Sequence, residues 1–151
     1  MKVEFTVVAH PHRKAAITED AYMVVSKPCV PFFAVVADGH RSGDVSKSCA
    51  AQFSFHIANM LADEFEKTCD PTKFAEMFDT VHNRVEEMFP KIGAGAVVSC
   101  IAIHEGKLYL AQTGDCRLYV SSSNMQSNRG CVCLTQDHIG ENLEEATRIQ
   151  P

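Results

Sequence analysis

In the first ten residues, "MKVEFTVVAH", apolar Val3, Phe5 and Val7 alternate with polar neighbours, the period of a strand with one wet face. "EDAYMVVS" predicts a second strand, and Pro28 and Pro31 mark the turn into a third. That third segment, "PFFAVVAD", is an unbroken apolar run, which predicts a strand covered on both faces. After Gly43 the spacing changes to three and four. Val45, Cys49, Phe53, Ile57, Met60, Leu61 and Phe65 fall on one stripe of a long helix. A second helix is predicted in "CDPTKFAEMFDTVHNRVEEMFP". Asp70 can cap it, Pro71 suits its first turn, Phe74, Met77, Phe78, Val81, Val85, Met88 and Phe89 form its stripe, and Pro90 stops it.

Strands then return. "AGAVVSCIAIH", a turn at Glu105-Gly106 and "KLYLAQT" predict a hairpin, and "GDCRLYVS" continues it. A polar stretch, "SSSNMQSNRG", leads to the short strand "CVCLT", and the acidic "ENLEEATRIQP" closes the sequence. Strands, then two helices, then strands again predict a layered α+β fold rather than alternating βαβ units.

Composition narrows the partners. A chain of 151 residues is one domain by length, and 46% hydrophobic with 22% charged residues is ordinary for a globular protein. Net charge is −5 with Lys and Arg spread along the chain, so neither nucleic acid nor an anionic membrane surface is expected. No apolar run approaches the ~20 residues needed to cross a bilayer. The N-terminus is too polar for a signal peptide, and no Asn-x-Ser/Thr sequon occurs. The seven cysteines are read as mostly small buried hydrophobes in a reducing compartment, which predicts a cytoplasmic or nuclear location. Cys131 and Cys133 share one strand face, but no second pair with finger-like spacing accompanies them.

The candidate chemistry sits in carboxylates. In "FFAVVADGHRSGD", Asp38-Gly39 taken alone reads as a turn, and His40 as a loop histidine. Yet Glu19-Asp20, Asp38, Asp115 and Asp137 all fall at predicted strand ends, which neighbouring strands can bring together. Clustered carboxylates repel, and a divalent cation removes that cost. Hard oxygen donors, with the Gly39 carbonyl beside Asp38, suit magnesium or manganese rather than zinc. His40 beside such an ion could donate a proton to a leaving oxygen. Each residue also has a plainer reading, as strand-edge charge for Glu19 and Asp20 and as a turn residue for Asp115. His10 and His12 flank Pro11, which argues against a metal pair there.

"EDAY", "FFAVVADGHRSG", "GAGAVVSCIAIHEGKLYLAQTGDCRLYV", "LTQDH" and "NLEEATRI" occur in the order and approximate spacing of the motifs of metal-dependent protein phosphatases of type 2C. The resemblance runs from near Arg13 to Ile149. It implies two packed antiparallel sheets flanked by helices, with two Mg or Mn ions at the sandwich edge and a metal-bridging water that attacks phosphorus. It implies Glu19, Asp38 and the Gly39 carbonyl as metal ligands, Asp20 in support, Asp115 on an accessory metal, and His40 with Asp38 as catalytic residues. A phosphoprotein is the implied substrate.

Several positions depart from that pattern. Ala15 stands where the family's phosphate-holding Arg is expected, with Arg13 and Lys14 just before it, and Arg41 follows Asp-Gly-His where Gly is usual. Arg13 and Arg41 are therefore the candidate phosphate contacts, since a guanidinium grips phosphate oxygens in pairs. Gly95 and Cys116 replace a Thr or Ser and a Ser. Two further metal-binding aspartates of the family pattern are not matched, so residues 1–151 are expected to form the N-terminal part of the catalytic domain, incomplete at the C-terminus and of little activity alone. Open sheet edges then predict a homodimer or a partner chain. Two alternatives remain: an inactive phosphatase-like binding or regulatory module, and a half-domain completed by a partner.

Overall fold

The computed structural model describes residues 18–41, 47–90, 93–121, 131–141 and 143–149. The predicted first strand, Arg13 and the His10/His12 pair lie outside the described residues. Two apolar runs become β1 (Asp20–Val25) and β2 (Phe32–Arg41), paired antiparallel. β3 (Ala94–His104) pairs with β2, and β4 (Lys107–Thr113) with β3, in the spatial order β1-β2-β3-β4. The β3–β4 connection is the predicted one. Glu105 and Gly106 take φ of 49° and 75°, the paired left-handed conformation that matches strand twist in a two-residue hairpin.

Helices α1 (Lys47–Thr68) and α2 (Phe74–Met88) are inserted between β2 and β3 in sequence. Asp70 caps as its position predicts, but one turn early. Its carboxylate accepts from the Thr72 amide at 2.9 Å and hydroxyl at 2.7 Å, closing a 3-10 turn over Pro71–Lys73 that feeds α2. α1 lies across β1, β2 and β3, and α2 packs on α1. Phe53, Leu61 and Phe65 of the α1 stripe are buried against Val25, Phe33, Val35, Val98 and Cys100. The Phe33 and Phe65 rings stack at 4.4 Å, and Phe74 meets both at 6.1 Å. Each such ring pair adds about 0.5–1.5 kcal/mol beyond its burial.

Three expectations are corrected. Among the described residues β2 is covered on one face only: Phe33, Val35 and Ala37 are buried, whereas Val36 is 49% exposed beside its β1 partner Tyr22 at 47%. The helices lie on a single side of the sheet, and among the described residues no comparable layer covers the other. The Asp38-Gly39 turn is also absent, because β2 runs on to Arg41, paired residue by residue with β3 down to Ala94. Of the seven cysteines only Cys100 is buried; Cys29, Cys131 and Cys133 are exposed and the rest half-buried. The exposed ones sit in a tight turn (Cys29, φ 64°) or on the thin two-stranded sheet of β5 (Tyr119–Ser121) and β6 (Cys131–Cys133).

The predicted strand "GDCRLYVS" shortens to β5 because the chain before it is held by specific bonds rather than a ladder. The Ser99 hydroxyl donates to the Cys116 carbonyl at 2.9 Å, and the Gln112 amide to the carbonyls of Gly114 at 2.9 Å and Gln136 at 2.7 Å. Part of the acidic C-terminal stretch is the short helix α3 (Leu143–Ile149). No helix among the described residues is long and apolar enough to cross a membrane.

Candidate functional site

The carboxylates gather where β1 begins and β2 ends. The ladder sets Asp20 directly opposite Asp38, so both side chains leave the same face. Behind them the sheet is pinned to α1. The Gly39 amide donates to the Glu19 carbonyl at 3.0 Å, and the same carbonyl accepts from the Ser54 hydroxyl at 2.5 Å. Ser54 is fully buried on α1 and also donates to the Ala51 carbonyl at 3.1 Å. A Cβ at position 39 would lie 2.6 Å from the Ala50 carbonyl oxygen and 2.7 Å from that of Glu19. Glycine is required here by the close approach of strand and helix, not by turn formation.

Asp115 arrives from the other side. Gly114, at φ 86°, packs against Val97, and a Cβ there would stand 2.1 Å from a Val97 methyl. Val97 is the β3 partner of Asp38, so the Gly114–Asp115 turn folds over the same strand position. The His138 amide fastens it by donating to the Gly114 carbonyl at 2.9 Å.

The electrostatics follow. Burial raises the Asp38 pKa above its ordinary value; the charge of Asp20, a hydrogen bond shared with that carboxyl and the charge of Asp115 raise it further, while His40 opposes them. Cys116 lies in the same field. Burial first, then the charges of Asp38 and Asp115, push its thiol up to about 11, so it stays protonated at neutral pH. The His40 ring lies over its β3 partner Gly95, where a Cβ would be 2.5 Å from Nε2. The glycine that stands in place of a Thr or Ser thus makes room for the imidazole.

Other predicted residues go elsewhere. The Glu19 carboxylate accepts from Arg41 Nε at 3.3 Å, so this acid and one candidate phosphate contact meet each other. Asp137 is gripped by Arg117, whose Nε lies 2.9 Å from Oδ1 and whose Nη2 lies 2.5 Å from Oδ2. That pairing holds the Asp137 carboxyl below its ordinary range. Ser54 carried no signal in the sequence, being one small residue on a helix stripe. Cys116 stood out as a substitution, but not as a neighbour of Asp38.

In donor chemistry Asp20, Asp38 and Asp115 suit a hard divalent cation, which would relieve the mutual repulsion of their charges. Among the described residues, no three His, Cys, Asp or Glu side chains are close enough together to close a metal-binding set.

The pattern that defines protein phosphatase 2C matches residues 13–151. The chain belongs to the protein phosphatase 2C family. It is 27% identical to protein phosphatase 2C homolog 4 of Saccharomyces cerevisiae, an alignment covering 73% of this chain and 33% of the yeast protein. The fold is similar to that of the Mycobacterium tuberculosis serine/threonine phosphatase PstP/Ppp, with a TM-score of 0.58 and 20% identity over 91% of this chain and 56% of that one. This protein phosphatase 2C chain therefore spans about a third and just over half of the lengths of these two proteins. Its α+β architecture of antiparallel sheets and helices is that of the family.

Proposed function

We propose that residues 1–151 form part of a metal-dependent phosphoprotein phosphatase domain that hydrolyses phosphoserine and phosphothreonine. The observation that supports this reading most directly is the pairing of Asp20 with Asp38 at one strand edge, within the electrostatic reach of Asp115 and His40, in a chain of this family. Asp38, Asp115 and the Gly39 carbonyl are the residues proposed to hold Mg or Mn, with Asp20 in support and Glu19 joining once Arg41 releases it. A bound divalent ion supplies Lewis acidity toward the phosphate oxygens and acidifies water. The chain's own residues do the rest. Asp20 orients Asp38 across the ladder, Ser54 and Gly39 fix the backbone that carries them, and His40 holds a proton on the side facing a leaving serine or threonine oxygen. Arg41 is the residue proposed to grip a phosphate bidentately, exchanging its contact with Glu19 for the phosphate oxygens. The test is Mn-dependent hydrolysis of p-nitrophenyl phosphate and a phosphothreonine peptide by the full-length gene product. Turnover lost in Asp38→Ala is expected, and turnover equal in that variant and the parent would refute the assignment.

A second reading is favoured by one observation, the Glu19–Arg41 contact, which occupies an acid and a cation that turnover needs. On that reading the chain is a phosphatase-like binding or regulatory module. Calorimetric titration with Mn separates the two, because two-site binding contradicts the module.

A further inference from the structure

The thin β5–β6 sheet carries two nucleophiles away from the acidic cluster. Cys131 and Cys133 are the two ends of β6, both exposed, and the pleat of the strand turns both thiols to one face. On that face the ladder sets Tyr119 opposite Cys133 and Ser121 opposite Cys131. Cys133 is the better supported of the two. Its thiol donates to the Thr135 carbonyl at 3.4 Å and lies 3.5 Å from the Thr135 hydroxyl, which can donate in turn once the sulfur is charged. That hydroxyl, the Thr135 backbone, the Tyr119 hydroxyl and the charge of Arg117 together hold the Cys133 pKa below the ordinary thiol value. Arg117 is itself steadied by its bonds to Asp137. An exposed thiol whose anion is stabilised, two residues from a second exposed thiol on the same face, is the arrangement of an attacking and a resolving cysteine.

We propose that Cys133 and Cys131 form a thiol–disulfide exchange site, at which Cys133 takes a thiol from a low-molecular-weight disulfide of the glutathione type and Cys131 then displaces it. In the first step Cys133, its proton given to water, attacks one sulfur of the small disulfide. A mixed disulfide forms as the old S–S bond breaks, and the departing thiolate takes up a proton. In the second step Cys131 loses its proton, attacks the Cys133 sulfur and releases the other thiol. The protein dithiol is oxidised to a disulfide, and the small disulfide is reduced to its thiols. Cα atoms two residues apart in a strand are about 6.4–6.8 Å apart, at the far end of the span a disulfide bridges, so closure needs a bend in β6. β6 is three residues long and pairs only with β5 among the described residues, and a two-stranded ribbon resists bending weakly. None of these residues belongs to the proposed metal and phosphate site, so the inference is independent of the phosphatase reading.

The test is incubation of the protein with oxidised glutathione at neutral pH, with acid quenching, intact mass and peptide mapping over time. Exposed Cys29, in the same samples, is the reference thiol. Nucleophilicity falls as a thiol grows more acidic, so the expected advantage of Cys133 over Cys29 is modest, about threefold in rate. In the parent the mixed disulfide is expected to give way to a Cys131–Cys133 disulfide, with loss of both thiol hydrogens, whereas in Cys131→Ser it persists. Thr135→Val is expected to slow Cys133 about threefold and Thr135→Ser to restore it, with Cys29 unchanged in both. Should Thr135→Val fail to fold by circular dichroism, Tyr119→Phe makes the same comparison. Equal rates at Cys29 and Cys133, a Cys133 rate indifferent to loss of these hydroxyls, or a mixed disulfide equally long-lived in the parent and Cys131→Ser each overturns the proposal. So does a Cys133-linked dimer on a non-reducing gel, which would make a second copy the resolving partner.

Discussion

Replacing Gly39 by Ala tests the way the site is built into the fold. The new methyl would sit 2.6 and 2.7 Å from two backbone carbonyl oxygens, those of Ala50 and Glu19, and 3.0 Å from the Ala50 carbonyl carbon. These distances fall roughly 0.7 Å or more short of ordinary van der Waals contact. No rotamer change can relieve them, since the obstacles are main chain on two different elements. Overpacking of this kind costs typically ~1–3 kcal/mol, and the upper half of that range applies where both neighbours are backbone. Against it stands a gain of about 0.5–1 kcal/mol, because Ala loses less chain entropy than Gly in a strand. The steric effect wins by about 2 kcal/mol, which for a domain of this size lowers Tm by roughly 4–8 °C. The assay is thermal melting followed by circular dichroism, with Mn titration as a second readout, because displacing Glu19 and Asp38 weakens any ion held there. A variant that melts at or above the parent temperature would show that strand and helix do not approach this closely, and the account of Gly39 would be wrong.

Gly95→Ala meets a side chain instead. It is expected to destabilise only while His40 is present and to be neutral or stabilising, by up to ~1 kcal/mol, in the His40→Ala background; additive urea midpoints across this double-mutant cycle would refute the ring's placement over Gly95. Asp38→Asn is expected to raise Tm at pH 7 in EDTA. A carboxyl whose native pKa is raised above 3.8 contributes its stability below that pH and loses it as pH rises through the native value. The gain is therefore expected to vanish near pH 3, and a variant that melts lower than the parent at pH 7 would contradict the repulsion. Ser54→Ala is expected to cost about 1 kcal/mol, since the Glu19 carbonyl keeps the Gly39 amide as partner; a loss several times larger in urea denaturation would mean the hydroxyl does more than this bond.

What could be read beforehand was local. The α1 stripe, the Asp70 cap and the Glu105-Gly106 hairpin depend on residues within a few positions of one another; the hairpin and the stripe from Cys49 onward formed where the pattern placed them, Val45 lies outside the described residues, and Asp70 caps one turn early. At Asp38-Gly39 the local and the long-range preferences differ. The dipeptide favours a turn in isolation, yet pairing with Ala96 and Val97 and the bond to Glu19 keep it extended. Burial of β2 was overstated because an apolar run does not say how many layers cover it. The meeting of Asp20 with Asp38, the capture of Glu19 by Arg41 and the role of Ser54 depend on strand register and helix placement. Neither is encoded in any short stretch.

The insertion of a helical hairpin between two strands that lie side by side also orders events in time. Arg41 and Ala94, neighbours in the sheet, bracket both helices, so their pairing must close a long excursion of the chain. Helices and the Glu105-Gly106 turn form within microseconds from nearby residues, whereas closing that excursion waits on a rarer encounter. The docking of β3 and of the Gly114–Asp115 turn onto the acidic strand end therefore comes after the local pairing of β1 with β2. Any ligand that settles there recognises only the finished molecule, and so draws the final stage of folding toward completion.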